Sequence, residues 1–163
     1  MSAEPEPLPL SDLKLRRLLV AIDGSPNSEL ALSAAFTVAR RDNAALTLVT
    51  VEPDVVSAAS LWSLVATPPP EMQEETHEAA LKVLDEAIAR LPDDVPATKI
   101  LRFGKAGPEI AAEAASGRYD AVLVGARGVG RVGSLLGSVS QYVLHHAEIA
   151  VFVTHQPSVE DNA

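Results

Sequence analysis

Short apolar segments alternate along this chain with longer segments that have helical character. Apolar and β-branched residues dominate the short segments, which is typical of buried strands: 16–23, 45–52, 97–103, 118–125 and 148–155. Helix-start residues or apolar residues at three-to-four residue spacing predict helices between them: 26–41, 71–91, 108–117 and 138–147. This alternation predicts an α/β fold, a doubly wound five-stranded parallel sheet with four helices on both faces.

The length of 163 residues suits a single domain, which we place at 13–155. Residues 1–12 and 156–163 are polar or rich in proline and acids, and they are predicted to be flexible tails. Residues 53–70 show no strong pattern, and such a long connection is often a binding loop or lid. Trp62 within it is interpreted as an anchor of this loop or as a partner contact.

Composition narrows the class of protein. The net charge is −9, which disfavours phosphodiester backbones, so no nucleic-acid partner is expected. Cysteine is absent, which excludes disulfides and thiolate metal sites. No run approaches the ~18 apolar residues of a membrane span, and the first residues do not resemble a signal peptide. We therefore expect a cytoplasmic protein that does not associate with membranes.

Residues 125–138 read GARGVGRVGSLLGS and contain five of the nine glycines of the chain. A dinucleotide loop would need an acidic residue at the tip of the next strand, and that strand ends in FVTH. A phosphate loop of the common ATPase type would need a lysine where Ser134 stands. Both of these familiar glycine spacings are therefore interpreted as coincidental.

The same stretch still favours an anion. Glycines let successive backbone N–H groups point into one concavity, and Gly137-Ser138 stands at the start of a predicted helix. Arg127 and Arg131 could neutralise phosphate oxygens. A plain connector with a serine helix cap remains the alternative interpretation.

Asp23 follows the first strand within the turn DGSPNS, where Ser25 can cap the next helix. In doubly wound folds, ligands bind beyond the carboxyl ends of the strands, where the strand order reverses. If strands one and four are neighbours there, Asp23 faces the glycine-rich loop. Its carboxylate could then accept ribose hydroxyls or help to hold Mg²⁺, or it could simply stabilise the turn.

Enzyme motifs are weak in this chain. The Gly-x-Ser-x-Gly pattern of a serine hydrolase is absent, and four scattered histidines make a poor zinc site. A phospho-receiver would carry an aspartate at the end of the third strand, where Arg102-Phe103-Gly104 stands instead. No residue near the glycine-rich loop is a convincing base for an efficient ATPase.

Several of these segments together resemble the universal stress protein family, specifically its ATP-binding branch. The resemblance spans roughly residues 14–155 and rests on LLVAIDGSPNSELAL, LVTVEP, FGKAGPEI, DAVLVGARG and LLGSVSQYVLHHAEIAVFV. The family's nucleotide motif is Gly-x2-Gly-x9-Gly-(Ser/Thr), and here the second spacing is eight residues, VGRVGSLL, rather than nine. The resemblance implies a Rossmann-like fold of the adenine nucleotide alpha hydrolase type.

By position, the resemblance implies ATP, with Mg²⁺, as the ligand. Asp23 would lie near the ribose or the metal, Val51 against the adenine, and Val124 beside the base or sugar. Val139 would continue the helix start that follows the glycine-rich loop. The phosphates would be held by the motif residues Gly125, Gly128, Gly137 and Ser138, with Arg127 nearby. AMP or a cyclic nucleotide in the same crevice remains an alternative.

The resemblance also implies a homodimer that forms through the last strand, 148–155. An apolar strand at a sheet edge, such as EIAVFVTH, invites pairing with another chain. The expected function is that of a nucleotide-dependent regulator of the stress response, with a signalling partner that the sequence does not identify. Two alternatives stay open: a slow ATPase, and a stress protein that has lost ATP and acts through protein contacts alone.

Overall fold

The computed structural model describes residues 14–53, 70–126 and 136–156. Strands and helices alternate in the order that the hydrophobic pattern predicts. The elements are β1 (Arg17–Ala21), α1 (Pro26–Asp42), β2 (Ala45–Glu52), α2 (Pro70–Ala89), β3 (Ala97–Phe103), α3 (Ala106–Ala114), β4 (Ala121–Gly125), α4 (Ser138–His146) and β5 (Ala150–Thr154).

The strands of the described residues form one sheet in the order β3-β2-β1-β4-β5, and every neighbouring pair is parallel. From β1, the chain adds β2 and then β3 on one side, and it then crosses to the other side of β1 to add β4 and β5. This is the doubly wound α/β architecture predicted from the sequence, which is thereby confirmed.

Two apolar clusters cover the two faces of the sheet. On one face, side chains such as Leu18, Val20 and Leu48 pack against α1 and α2. The fully buried Leu84 of α2 belongs to this cluster. Alternate strand residues point the other way and meet α3 and α4. This second cluster contains Leu19, Val49, Ile110, Ala114, Tyr119, Val122, Val124 and Val143. The three inner strands β2, β1 and β4 are therefore buried on both sides for most of their length, as their continuous apolar runs indicate, whereas the edge strands β3 and β5 are partly exposed.

Local signals in the sequence place α1. Ser25 is its N-cap and accepts a hydrogen bond from the Ser28 N–H at 3.2 Å, and Pro26 occupies the first turn. Asn43 ends the helix in the left-handed conformation, with φ 55°, and its N–H donates to the carbonyl of Ala39. The predicted serine cap at this helix is confirmed.

Other boundaries differ from the prediction by a few residues. Helix α3 begins at Ala106, before the Gly107-Pro108 pair, because a proline in the first helical turn has no intrahelical N–H bond to lose. The fourth strand begins at Ala121, since Asp120 instead accepts the backbone N–H groups of Arg16 and Arg17 at 2.7 and 2.8 Å.

One carboxylate is buried on the α3 side. Glu113 is 3% exposed and accepts hydrogen bonds from the Tyr119 hydroxyl at 2.7 Å and from Arg118 at 2.6 Å. Its second oxygen is paired with Arg102 of β3. This network ties the edge strand β3, helix α3 and the segment before β4 together, and it satisfies the buried charge.

Several predicted features fall outside the described residues. They are the tail at 1–12, the tail at 156–163 apart from Gln156, and Trp62 with the rest of the 53–70 connection apart from its two terminal residues. Within the described ranges, no helix combines the length and hydropathy that crossing a bilayer requires.

Candidate functional site

The reversal of strand order places β1 and β4 side by side, in the register Leu18–Ala121 to Val20–Leu123. The connections from these two strands diverge, because β1 leads to α1 on one face and β4 leads to α4 on the other. A crevice opens between them at the carboxyl ends, where doubly wound proteins bind their ligands. Asp23 and Gly125 both line it, as predicted for neighbouring strands.

The crevice has about 530 Å³ of empty space, including space open to solvent. Its wall is mainly apolar, with a few hydroxyl and carboxylate groups at one side. The lining residues in the described part of the chain are Ala21, Ile22, Asp23, Ser25, Ser28, Val49, Thr50, Val51, Ala106, Ile110, Val124, Gly125 and Val139. A mostly apolar cleft with convergent polar groups is typical of a small-molecule site.

The polar side of the crevice is the turn from Asp23 to Ser28. Asp23 Oδ1 accepts the N–H of Ser25 at 2.9 Å, which fixes the carboxylate at the mouth of the crevice. The Ser28 hydroxyl donates to the Ser25 carbonyl at 2.9 Å, and Ser28 is buried. Asp23 itself is exposed, so its carboxylate stabilises the turn and is also accessible from the crevice.

Strand β2 extends past the end of β1 at the apolar side of the crevice. The last register pair is Ala21 with Val49, and the Val49 carbonyl accepts the Ile22 N–H at 2.9 Å. Backbone groups two residues apart in a strand point to the same side. The N–H and C=O of Val51 therefore point to the same side as the Val49 carbonyl, just beyond the last residue of β1 that pairs with β2. One residue there presents a donor and an acceptor side by side.

Three helices of the described residues begin beside the crevice. Ser25 at the start of α1, Ala106 at the start of α3 and Val139 in the first turn of α4 all line it. The first N–H groups of a helix have no intrahelical acceptor, and the helix dipole adds a partial positive charge there. The crevice therefore favours an anionic group.

The start of α4 is held close to the end of β4. Gly137 is the N-cap, with φ −78° and ψ 166°, and its N–H donates to the Ala126 carbonyl. The buried Ser140 hydroxyl lies 2.9 Å from the same carbonyl. Ser138 is the exposed first residue of the helix rather than its cap, which corrects the interpretation of a plain serine cap.

The structure thus brings five of the predicted site residues to the crevice wall. They are Asp23, Val51, Val124, Gly125 and Val139. Gly137 and Ser138 lie at the start of α4, close to that wall, and are not among the lining residues. Arg127 and Gly128 lie outside the described residues, as does Arg131.

Sequence reasoning missed several lining residues. Ser28 could have been found from its spacing of three from the capping Ser25, since an N-cap bonds the residue at that distance. Ala106 and Ile110 belong to α3, and only the packing of this helix over β2 and β3 brings them to the crevice. No local signal in the sequence indicates that packing.

The described lining residues include no histidine, lysine or arginine. His77 lies instead on α2, where its ring accepts or donates a 2.9 Å hydrogen bond with the buried Glu52 and stacks on Phe103. No group of three or more histidine, aspartate or glutamate side chains converges as a metal site in the described ranges. Asp23 is therefore the one titratable side chain that the described wall offers to a ligand.

Fold and crevice define a doubly wound α/β protein with an anion-favouring site at its switch point. The model of the universal stress protein family matches residues 14–155, and the chain belongs to this family.

Relatives include universal stress protein Rv2005c of Mycobacterium tuberculosis, 35% identical over 143 residues, which make up 85% of this chain and 45% of Rv2005c. This chain thus spans about half the length of that relative. YxiE of Bacillus subtilis, also a universal stress protein, is 35% identical over 133 residues, which make up 78% of this chain and 90% of YxiE.

Solved structures share the fold. The hypothetical protein MJ0577 superposes with a TM-score of 0.74 at 20% identity, covering 89% of this chain and 99% of MJ0577. An AMP-bound family member from Arabidopsis thaliana gives 0.64 at 18% identity, covering 88% and 93%. A universal stress protein in complex with cAMP gives 0.57 at 23% identity, covering 88% and 98%.

Proposed function

We propose that this chain is an adenine-nucleotide-binding universal stress protein that acts as a nucleotide-dependent regulator. The observation that carries the proposal is the crevice at the β1–β4 switch point, which joins an apolar wall to the carboxylate of Asp23 and to the starts of three helices in the described residues. A flat apolar base, a ribose and a phosphate need these three environments. The AMP and cAMP complexes of the two structural neighbours support the same class of ligand.

Adenine suits the apolar side of the crevice. Val49, Val51, Ile110 and Val124 provide the surface on which a purine can pack. The backbone N–H and C=O of Val51 complement N1 and the 6-amino group of adenine, which are an acceptor and a donor. Guanine and hypoxanthine present a donor at N1 and an acceptor at position 6, so each would leave buried polar groups mismatched.

ATP with Mg²⁺ is the form of ligand that we propose. The residues present fit this group: the exposed Asp23 carboxylate lies at the crevice mouth, and Mg²⁺ is commonly held by one or two carboxylates together with phosphate oxygens. The helix start at Gly137-Ser138 would receive phosphate oxygens, with Gly128 and Arg127 of the glycine-rich loop. The Asp23 carboxylate would orient the ribose or the hydrated metal.

A homodimer through β5 is part of the proposal. This strand is one edge of the sheet and carries Phe152, which is 40% exposed. Leu144 on α4 is also a large apolar residue with an exposed side chain, at 46%. An uncovered apolar edge strand is suited to pairing with a second copy.

Thermal unfolding with and without millimolar ATP and Mg²⁺ tests the nucleotide site, with AMP as a second ligand. A ligand at a hundred times its Kd adds about 2.7 kcal/mol of stability, or about 5 to 10 °C for a domain of this size. We expect this shift in the parent protein and a much smaller one in Asp23→Ala. Asp85→Ala, an exposed carboxylate paired with Lys99 on the α2–β3 side, should keep the full shift.

Two results would contradict the proposal. Protein stripped of nucleotide that shows no shift with ATP, AMP or cAMP would favour a stress protein that acts through contacts alone. That result would also indicate that the glycine-rich loop, one residue short of the family spacing, no longer holds phosphate. An equal shift in parent and Asp23→Ala would place the ligand elsewhere.

A further inference from the structure

Strand β5 contributes no described residue to the crevice wall, but its carboxyl end contacts the start of α1, which does line the crevice. At its carboxyl end the Thr154 hydroxyl donates to the backbone carbonyl of Asn27, in the first turn of α1, at 2.9 Å. Just after the strand, the Gln156 N–H donates to the Asn27 side-chain oxygen at 2.9 Å. The end of β5 therefore holds the backbone of Asn27, and Gln156, two residues further on, holds its side chain.

Strand β4 holds the same helix turn from the other side. Gly125 pairs with Thr154 in the sheet register, and the Thr154 carbonyl accepts the Ala126 N–H at 2.6 Å. A Cβ on Gly125 would lie 2.8 Å from the backbone carbon of Asn27 and 2.9 Å from the Ser28 nitrogen. The absence of that atom allows the strand end and the helix start to touch.

The turn that is held in this way carries the polar side of the crevice. Ser25 and Ser28 lie one turn apart at the start of α1, and Asp23 is hydrogen-bonded to the Ser25 N–H. A shift of Asn27 away from β5 would move these three residues together, since they share one helix start. It would widen the gap between the Asp23 turn and Gly125, both of which line the crevice.

We propose that Thr154 is a positioning residue for the crevice, and that its bond to Asn27 lets the edge strand β5 set the affinity for nucleotide. The proposal rests on the proposed function, because it concerns the same site. Thr154 is not among the described residues that line the crevice, and it acts through Asn27 and the first turn of α1. Pairing of β5 with a second copy would then be sensed in the crevice through the same contact.

The test compares Thr154→Val, which keeps the shape of the side chain and removes the hydroxyl, with Thr154→Ser, which keeps the hydroxyl. Thr98→Val is the matched control, because Thr98 lies on the opposite edge strand with its hydroxyl 3.2 Å from that of Thr47. The affinity for ATP with Mg²⁺ is measured by titration calorimetry well below the unfolding temperature. The unfolding temperature without ligand is measured for every variant.

A hydrogen bond of this kind corresponds to a factor of about 3 to 10 in affinity. We expect Thr154→Val to weaken ATP binding by that factor, while Thr154→Ser and Thr98→Val bind like the parent. Thr154→Val that lowers the unfolding temperature and leaves the affinity unchanged would overturn the proposal, because Thr154 would then be merely structural.

Amide hydrogen exchange without ligand keeps the proposal testable even if the parent protein binds no nucleotide. That outcome would contradict the proposed function, and the positioning role would still predict faster exchange across residues 25–30 in Thr154→Val than in Thr98→Val. Equal exchange in the two variants would overturn the positioning role itself, whatever the fate of the proposed ligand.

Discussion

Ser25 shows how one side chain serves both the fold and the candidate site. Its hydroxyl caps α1 by accepting the Ser28 N–H, its own N–H holds the Asp23 carboxylate, and it lines the crevice. Ser138 stands at a helix start of similar sequence but makes no capping bond, since Gly137 is the cap. A serine near a helix start is therefore a cap at Ser25 but not at Ser138.

We predict that Ser25→Ala lowers the free energy of unfolding by about 1 kcal/mol, because the Ser28 N–H loses its acceptor. Ser138→Ala is the matched control and should change stability by less than about 0.5 kcal/mol, as expected for an exposed residue without a capping role. Urea unfolding at neutral pH measures both. Equal losses in the two variants would contradict the capping assignment.

Among the elements, β3 and α3 are joined by the buried Glu113. Burial alone would raise the pKa of this carboxyl, but hydrogen bonds from Arg102 and Tyr119 and the charges of Arg102 and Arg118 outweigh burial. The pKa of Glu113 therefore lies below its ordinary value of 4.5. A lowered pKa in the folded state means that the ionised carboxylate contributes stability above the unfolded-state pKa, and that this contribution is lost as the pH falls.

We predict that the unfolding free energy of the parent protein falls more steeply between neutral pH and pH ~3 than that of Glu113→Gln, since the variant has no carboxylate to protonate there. Asp120, whose pKa is also lowered, by hydrogen bonds from Arg16 and Arg17 despite burial, keeps some pH dependence in the variant. Urea titrations at several pH values measure the slope. The exposed Glu78→Gln serves as control.

In that control, the full pH dependence of the parent should remain. A Glu113→Gln protein with the parent's slope would mean that the buried network does not contribute to acid stability. A Glu78→Gln protein with a reduced slope would mean that the effect belongs to general surface charge rather than to Glu113.

The alternation of elements could be predicted from the sequence because strands buried on both faces and capped helices leave local signals. Ser25 and Asn43 mark the ends of α1, and the apolar run around Val122 marks a central strand. Boundaries were less predictable where a tertiary contact decides them. Asp120 lies within the predicted strand 118–125, but its carboxylate accepts the backbone N–H groups of Arg16 and Arg17, and β4 begins only at Ala121.

The candidate site was predictable only in part. Asp23 and Gly125 could be placed because Asp23 follows β1 and Gly125 ends β4, and these two strands meet at the switch point. Ile110, and the link between Thr154 and Asn27, depend on contacts between residues far apart in the chain. Neither hydropathy nor spacing carries information about such contacts.

For the molecule as a whole, the two edges of the sheet differ in a way that bears on assembly. The β3 edge carries Lys99 and Arg102, which are paired with Asp85 and Glu113. The β5 edge of the described residues is the short apolar run Ala150–Thr154. Charged side chains discourage edge-to-edge pairing, so the β5 edge is the better candidate for a dimer interface.

We predict that Phe152→Lys shifts the proposed β5-mediated dimer toward monomer, because a charge would enter an apolar strand–strand contact. Phe103→Lys is the matched control: Phe103 is 57% exposed on the opposite edge strand, against 40% for Phe152. Sedimentation equilibrium measures the mass of each. A dimer that survives Phe152→Lys and dissociates with Phe103→Lys would place the interface on β3.

The most direct test of the central claim compares ATP with ITP, which differ only in the base at N1 and position 6. Titration calorimetry of nucleotide-free protein with each, in the presence of Mg²⁺, measures the two Kd values. If the backbone N–H and C=O of Val51 form hydrogen bonds with the base, ATP should bind at least about tenfold more tightly than ITP, a difference of about 1.4 kcal/mol. Equal affinities would contradict adenine recognition in the crevice, and the absence of binding by both would contradict the nucleotide-binding function itself.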